Sequence, residues 1–502
     1  MLMTGSDYRD SLRAYRPRVF VNGSAVESVA DEPLLAPGTA AVGVTYDLAH
    51  RPEHADVMTA TEPVSGKTLN RMLHIDTTST DLLRKLEAVR LVCRVAGCAQ
   101  RYLTHDGLNG IFSATKRTDD AHGTDYHQRF RNYLNDVQTR DLTLGVAMTD
   151  AKGDRSKRPG AQHNRDVYVH IAERRADGIV IRGTKAIVTG APYVHEFLVM
   201  PCRTHTREDA YFAVCCAVPV DAPGVTIVAR PAGRPGEAAA TFSAKYGQST
   251  GVVIFDDVFV PHERVFLAGE TEEGGLLTTS YATHHRHSCI GARAGFGDLL
   301  IGAGALMVEA NGLDPDRHGH IREAMVELIT ITEGFFACGV AASVYCAHDE
   351  AGSVMPDPVF SNIGKLLLAT KIYDMHRLAH CVSGGLVVAL PGPDEDHNPA
   401  TQASLAAVLG GRPDISTEAR IEVARLIEDL TVSQQGGWYS VISLHGGGSP
   451  EAMKREIWRN YPVSEKTALV EDLLERGILA DGRRVPKQPG RCCPVGCEVP
   501  TP

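Results

Sequence analysis

The chain has 502 residues, 43% of them apolar and 22% charged, with a net charge of −10. A single core rarely exceeds roughly 250–300 residues, so two or three domains are expected. The acidic balance lacks the basic stripe that nucleic acid requires, no segment reaches the roughly 18 uninterrupted apolar residues of a membrane span, and the charged N-terminus MLMTGSDYRDSLRAYRPRVFVNG has no apolar h-region; a cytoplasmic protein with neither a nucleic-acid nor a membrane partner is expected.

Residues 1–140 read as mostly helical. SDYRDSLRAY opens on a Ser N-cap signal. TSTDLLRKLEAVRLVCRVAGCAQRYL carries apolar residues at helical spacing, and GTDYHQRFRNYLNDVQTRDL is a further amphipathic segment. Overlapping the end of the first of these, VAGCAQRYLTHDGLNG (95–110) reads as an amphipathic helix that places Cys98 one turn before Tyr102 on a shared face. From about residue 141 the period changes to an alternation of apolar and polar residues. Residues 166–201 have turn signals at Asp177-Gly178 and Gly190, a strand, hairpin and strand pattern that AYFAVCCAVPV, GVTIVAR and GVVIFDDVFVP continue, so 141–270 is expected to be a β-domain. From 271 to 480 long Ala-, Gly- and Leu-rich helical segments predict a bundle, and 481–502 is expected to be a flexible Cys/Pro tail.

The twelve cysteines should be reduced in the cytosol. Cys93, Cys202, Cys338, Cys346 and Cys381 sit singly in apolar stretches and read as core fillers. Cys492, Cys493 and Cys497 have no partner set that completes a zinc pattern. No GxGxxG follows a strand and no GxxxxGK[ST] is present, which argues against a Rossmann domain and a P-loop.

Three stretches can carry chemistry. LTLGVAMTDAKGDRSKRP (142–159) can present backbone amides and cations to a flavin or phosphate, or be a solvated charged loop. ISLHGGGSPEA (442–452) is a Gly-rich turn feeding a helix, which suits an anion, or a plain helix–helix connection. YATHHRHSCIGARAGFGD (281–298) holds His284, His285 and His287, which offer one metal ligand or a general acid/base near neutral pH, or are a chance cluster at a helix start.

Together with HDGLNGIFSATKRTD, GTDYHQRFRNYL, DGIVIRGTKAIVTGA and VVIFDDVFVP, the motifs AMTDAKGDR, HRHS and LHGGGSP resemble the 4-hydroxyphenylacetate 3-hydroxylase superfamily of flavoproteins, and within it most nearly the 4-hydroxybutyryl-CoA dehydratase branch, from about residue 7 to about 470. The resemblance implies an α+β, acyl-CoA dehydrogenase-like fold, FAD between the β-domain and the bundle, and a homotetramer built as a dimer of dimers. It maps flavin contacts onto Met148, Thr149, Asp150, Lys152, Arg155 and Thr189, with His445 and Gly446 near the cofactor.

The departures from that branch are specific. Its four-iron cluster takes three cysteines and one histidine; Cys98 and His285 match two positions, but Tyr102 and Ala292 stand at the others, so no cluster and no metal site are expected. Cys289 stands where a tyrosine is expected, and the expected glutamates fall near Thr250 and Ile442. The monooxygenase branch uses an Arg and a Tyr on the first helix and a His before the flavin loop; Tyr102 matches the Tyr, while Cys98 and Val146 stand at or near the other two positions. The expectation is an FAD-dependent monooxygenase that acts on a small organic substrate with reduced flavin supplied by a separate reductase, Tyr102 and His285 being catalytic. The alternatives are a cluster-free dehydratase or isomerase acting on an acyl-CoA-like or carrier-bound substrate, and a non-catalytic flavin-binding homologue.

Overall fold

The computed structural model describes residues 2–98 and 100–475. The chain begins with helices, passes through two sheets, and ends in long helices. This is the α+β, acyl-CoA dehydrogenase-like arrangement that the resemblance implies. Residues 1–457 form one unit, and residues from Trp458 onward form another, to which the helix Val463–Glu475 belongs. The expected tail at 481–502, with Cys492, Cys493 and Cys497, lies outside the described residues.

Helix Ser79–Ala96 starts at a capping box, in which Thr78 accepts from the Asp81 amide and Asp81 reaches back to the Thr78 backbone. It stops at Gly97, which takes a left-handed conformation (φ 66°) that few side chains tolerate. The next helix, Tyr102–His122, begins five residues later. The expected continuous helix through 95–110 is therefore broken. Cys98 lies in the connection and Tyr102 opens the next helix, so the two do not share a helix face.

The six-stranded sheet has the order Ser24–Val26, Arg18–Val21, Val225–Ala229, Thr250–Pro261, Gly178–Thr189, His170–Arg174. Two of its strands come from residues 18–26, which the sequence placed in the helical part; Val19 and Val21 are buried, and both lie in the strand whose ladder onto Val225–Ala229 is parallel. The longest ladder is antiparallel and runs from Thr250–Thr189 to Pro261–Gly178. A four-stranded sheet, Val265–Ala268, Val214–Pro219, Glu196–Val199, Leu144–Ala147, packs beside it and ends in a parallel pair.

The bundle is organised around one helix, Thr271–Ala310, whose residues from Thr283 to Gly297 are all buried. Helices Ser79–Ala96, Tyr102–His122, Gly319–Val344, Pro358–Ser383 and Thr417–Thr431 pack on it from several sides. A helix buried all round has no polar face to place in water, which explains a run without amphipathic period. Its contact with Ser79–Ala96 needs small residues: a Cβ on Gly291 would lie 2.6 Å from the Leu86 carbonyl oxygen. The histidine cluster accordingly sits in the middle of a 40-residue helix and not at a helix start. Among the described residues two helices could cross a membrane by length and mean hydropathy, Thr271–Ala310 and Gly319–Val344, but two-thirds of the apolar window of the first is buried in protein.

The single cysteines do not all fill the core. Cys93 is buried, Cys202, Cys338 and Cys346 are partly exposed, and Cys381 is exposed.

Candidate functional site

The buried centre lies between helices Ser79–Ala96 and Tyr102–His122 on one side and Thr271–Ala310 on the other. His285 is its hub. Its Nδ1 faces Asp106 Oδ2 at 3.2 Å, which assigns that nitrogen the proton. Its Nε2 faces Cys289 Sγ at 3.7 Å, one helical turn away. Its ring is stacked between Tyr102 (centroids 5.6 Å, planes 25° apart) and Tyr281 (5.3 Å, 11°). Tyr102 Oη lies 4.0 Å from the same sulfur.

Asp106 is fully buried and fully engaged. Ser288 Oγ donates to its Oδ1 at 2.6 Å, and Lys85 Nζ, also fully buried, donates to Ser288 Oγ at 2.9 Å and lies 3.8 Å from Asp106 Oδ1. His105 links Asp106 (3.5 Å) to Asp76 (3.2 Å). Burial raises the Asp106 carboxyl, but the adjacent His105 imidazole, the hydrogen bond from His285 and the Lys85 charge hold it far below the usual range.

On the other side of Cys289, Lys365 Nζ donates to the Ser443 carbonyl at 2.6 Å, and Arg293 Nε donates to Ser443 Oγ at 2.9 Å with its guanidinium over the Tyr439 ring at 4.5 Å. Burial brings Lys365 down to about 7, with Cys289 opposing and the Arg293 and Arg286 charges adding to the shift. Burial pushes the Cys289 thiol up, but the His285 charge and hydrogen bond, then Lys365 and Arg293, bring it down to about 6. His285 is depressed by burial and raised by Cys289 and Asp106 to about 9. The two titrate together, and between these values the pair is thiolate and imidazolium. Tyr102, buried beside Cys289, is held well above the ordinary phenol value and stays protonated.

The glycine-rich turn joins this centre. Helix Gln434–His445 ends there, Arg286 Nε donates to the Gly447 carbonyl at 2.9 Å, and a Cβ on Gly447 would lie 3.1 Å from His285. His445 itself is exposed and Gly446 half-buried. The structure thus brings together Tyr102, His285 and the HGGGSP turn.

The expected flavin residues are elsewhere. Met148 and Thr149 are half-buried just beyond strand Leu144–Ala147, and the Thr149 carbonyl accepts from the Ala186 amide, on the strand that ends at Thr189. Lys152 and Arg155 are exposed on the loop that follows. Half-buried strand ends leading into a loop with two exposed cations fit a flavin ring and its phosphates. Asp150 differs from the expectation: its carboxylate is buried, takes Lys185 Nζ at 2.6 Å and the Cys202 thiol at 2.7 Å, and so holds the loop to the sheet.

The side chains do not fit an iron–sulfur cluster. Cys98 Sγ lies against the Gly247 carbonyl at 3.6 Å, and burial raises its thiol to about 12. Ala292 has no donor, Tyr102 is a protonated phenol, and His285 is engaged at both nitrogens. Among the described residues no three of His, Cys, Asp and Glu are grouped to hold a metal ion.

Sequence reasoning did not find Asp106, Lys85, Ser288, Tyr281, Lys365 or Arg293 as site residues. A signal exists for some of them: Lys85 and Asp106 are charged residues at core positions of apolar-periodic helices, and such positions are seldom charged without partners.

The 4-hydroxyphenylacetate 3-hydroxylase N-terminal model matches residues 4–267, and the C-terminal model matches 275–475. A 4-hydroxybutyryl-CoA dehydratase/vinylacetyl-CoA-Δ-isomerase from Clostridium aminobutyricum is 34% identical over 486 residues, covering 94% of this chain and 99% of that protein. The oxygenase component of 4-hydroxyphenylacetate 3-monooxygenase from Thermus thermophilus is 26% identical, covering 92% and 95%. The oxygen-tolerant archaeal 4-hydroxybutyryl-CoA dehydratase from N. maritimus superposes with a TM-score of 0.90 at 33% identity, over 96% of this chain and 97% of that one. A 4-hydroxyphenylacetate 3-monooxygenase oxygenase component complexed with FAD shares the fold at a TM-score of 0.84 and 24% identity, over 95% and 99%. Matched in both halves, and 34% identical to a relative along nearly the whole of each chain, this protein belongs to the 4-hydroxyphenylacetate 3-hydroxylase family.

Proposed function

We propose that this chain is a flavin-dependent oxygenase component that takes reduced FAD from a separate reductase and acts on a small organic substrate. When bound, the flavin supplies the redox chemistry. Met148, Thr149 and Thr189 would hold its ring, Lys152 and Arg155 its phosphates, with His445 and Gly446 close by. Tyr102 would donate a hydrogen bond to substrate, and His285 would move a proton. The observation that carries this reading is the stack of Tyr102, a protonated phenol, on His285. The dehydratase resemblance expects a cluster thiolate at that position, and the residues around it offer no cluster donor set. The Thermus relative is an oxygenase component, which supports the same reading.

A second reading has its own support. The dehydratases at 34% and 33% identity are more similar in sequence than the oxygenase component at 26%. On that reading the chain is a redox-neutral dehydratase or isomerase on an acyl-CoA-like substrate, with Cys289–His285 as acid and base. Turnover of phenolic and acyl-CoA panels with reduced FAD, with and without oxygen, separates the two. Oxygen-dependent hydroxylation is expected, and turnover that is indifferent to oxygen refutes the oxygenase reading.

We also propose a homotetramer. Val326 and Ile329 on one bundle helix, with Leu367 and Tyr373 on its neighbour, are exposed, and their apolar faces suit burial against further copies.

A further inference from the structure

Cys289, His285 and Asp106 come from two helices, yet they form one line. The sulfur faces Nε2 at 3.7 Å, and Nδ1 faces the carboxylate at 3.2 Å. This is the arrangement of an activated nucleophile: a thiol, a base that takes its proton, and an acid that orients the base. Every part of it is braced. Ser288 and Lys85 fix Asp106, two tyrosine rings hold the imidazole plane, and the Gly447 backbone closes on its edge. A cysteine that only filled space would need none of this.

We propose that Cys289 is a catalytic nucleophile, activated by His285 and Asp106, that adds reversibly to the β-carbon of an α,β-unsaturated carbonyl ligand. The ligand class follows from what surrounds the sulfur. A thiolate is a soft nucleophile suited to an electrophilic alkene carbon. Tyr102 stands 4.0 Å from it as a neutral hydroxyl donor. Arg293 and, below about pH 7, Lys365 bring positive charge to the same place, and neither takes part in an ion pair with a carboxylate among the described residues. Together they can accept the negative charge that moves onto a carbonyl oxygen. In the forward step a bond forms between Sγ and the β-carbon. The alkene pair moves through the α-carbon onto the carbonyl oxygen. The His285 imidazolium then gives its proton to the α-carbon, which leaves a thioether and a neutral imidazole. Reversal restores thiolate and imidazolium, and no oxidant or reductant is consumed. The depressed thiol value, about 6, agrees with this geometry.

This inference is independent of which reaction the flavin supports. The test is labelling of the purified full-length protein with acrylamide, an α,β-unsaturated amide, near neutral pH. Peptide mass spectrometry follows each cysteine, and flavin content is measured in the same sample. Exposed Cys381 is the internal reference. Buried Cys289 is expected to react at least roughly tenfold faster than Cys381, as thiolate-forming sites do. His285→Gln and Asp106→Asn should each slow Cys289 at least tenfold and leave Cys381 unchanged. Labelling of Cys289 no faster than Cys381, or an unchanged rate in either folded variant, overturns the inference. A sample that retains flavin but leaves Cys289 unlabelled refutes the nucleophile alone; rapid labelling in protein that cannot bind flavin refutes only the flavin reading.

Discussion

Asp106→Asn is the most informative perturbation of the centre, because it keeps the shape and removes the charge. The carboxylate faces His285 and Ser288 on the long helix, Lys85 on Ser79–Ala96, and His105 on its own helix. An amide keeps one acceptor and turns a donor toward the other partner, so either His285 or Ser288 loses its bond. Hydrogen bonds to a charged group contribute about 1.5–3 kcal/mol each, and unpairing a buried charge costs about 3–5 kcal/mol, so the expected loss is roughly 3 kcal/mol. With an unfolding entropy of about 2.1 cal/mol/K per residue, a body of this size changes by roughly 1 kcal/mol per degree, and the melting temperature should fall by about 3 °C.

The pH dependence has a definite sign. His285 is raised to about 9, so its contribution is complete below the unfolded value near 6.5 and is lost as pH rises through about 9. The Asp106 contribution, from a depressed carboxyl, disappears only in strong acid. The deficit of the variant should therefore be largest near pH 6 and shrink above pH 9. Scanning calorimetry of both proteins across that range is the assay. A deficit under about 1 °C at pH 6, or one that does not change with pH, refutes the reasoning about this network.

Three further outcomes are expected. The protein purified anaerobically should hold no stoichiometric iron, because Tyr102 and Ala292 offer no thiolates; about four irons per chain with a charge-transfer band near 400 nm would sink that expectation. Arg155→Ala and Thr189→Val should lower flavin retention with the fold intact by circular dichroism, and equal flavin occupancy in both would mean that the loop is merely solvated. Tyr102→Phe and His285→Ala should each reduce turnover roughly 10²-fold at unchanged flavin content if they serve as donor and acid/base, and near-wild-type rates would place the chemistry elsewhere.

Much of this architecture was legible in the sequence because it rests on local period. The β-rich pattern of 166–201 does form strands, the Asp177-Gly178 signal falls at the reversal between the antiparallel strands His170–Arg174 and Gly178–Thr189, and Gly190 ends the second of them where the chain passes to the other sheet. Motif resemblance identified the family, and composition at two positions argued against a cluster. Three features were out of reach of local pattern. Gly97 breaks what reads as one helix, since a single left-handed residue leaves the apolar period on both sides intact. Residues 18–26 join a sheet through partners some two hundred positions away, and no short window contains that pairing. The Cys289–His285–Asp106 line is likewise a product of packing. Two of its members are four apart on one helix and readable as neighbours, but the third lies 179 positions earlier, and only the close approach of the two helices sets it against the imidazole. Sequence determined which side chains were available and which periods they followed; tertiary structure decided which of them became charged, because the distances between buried groups set their charge states.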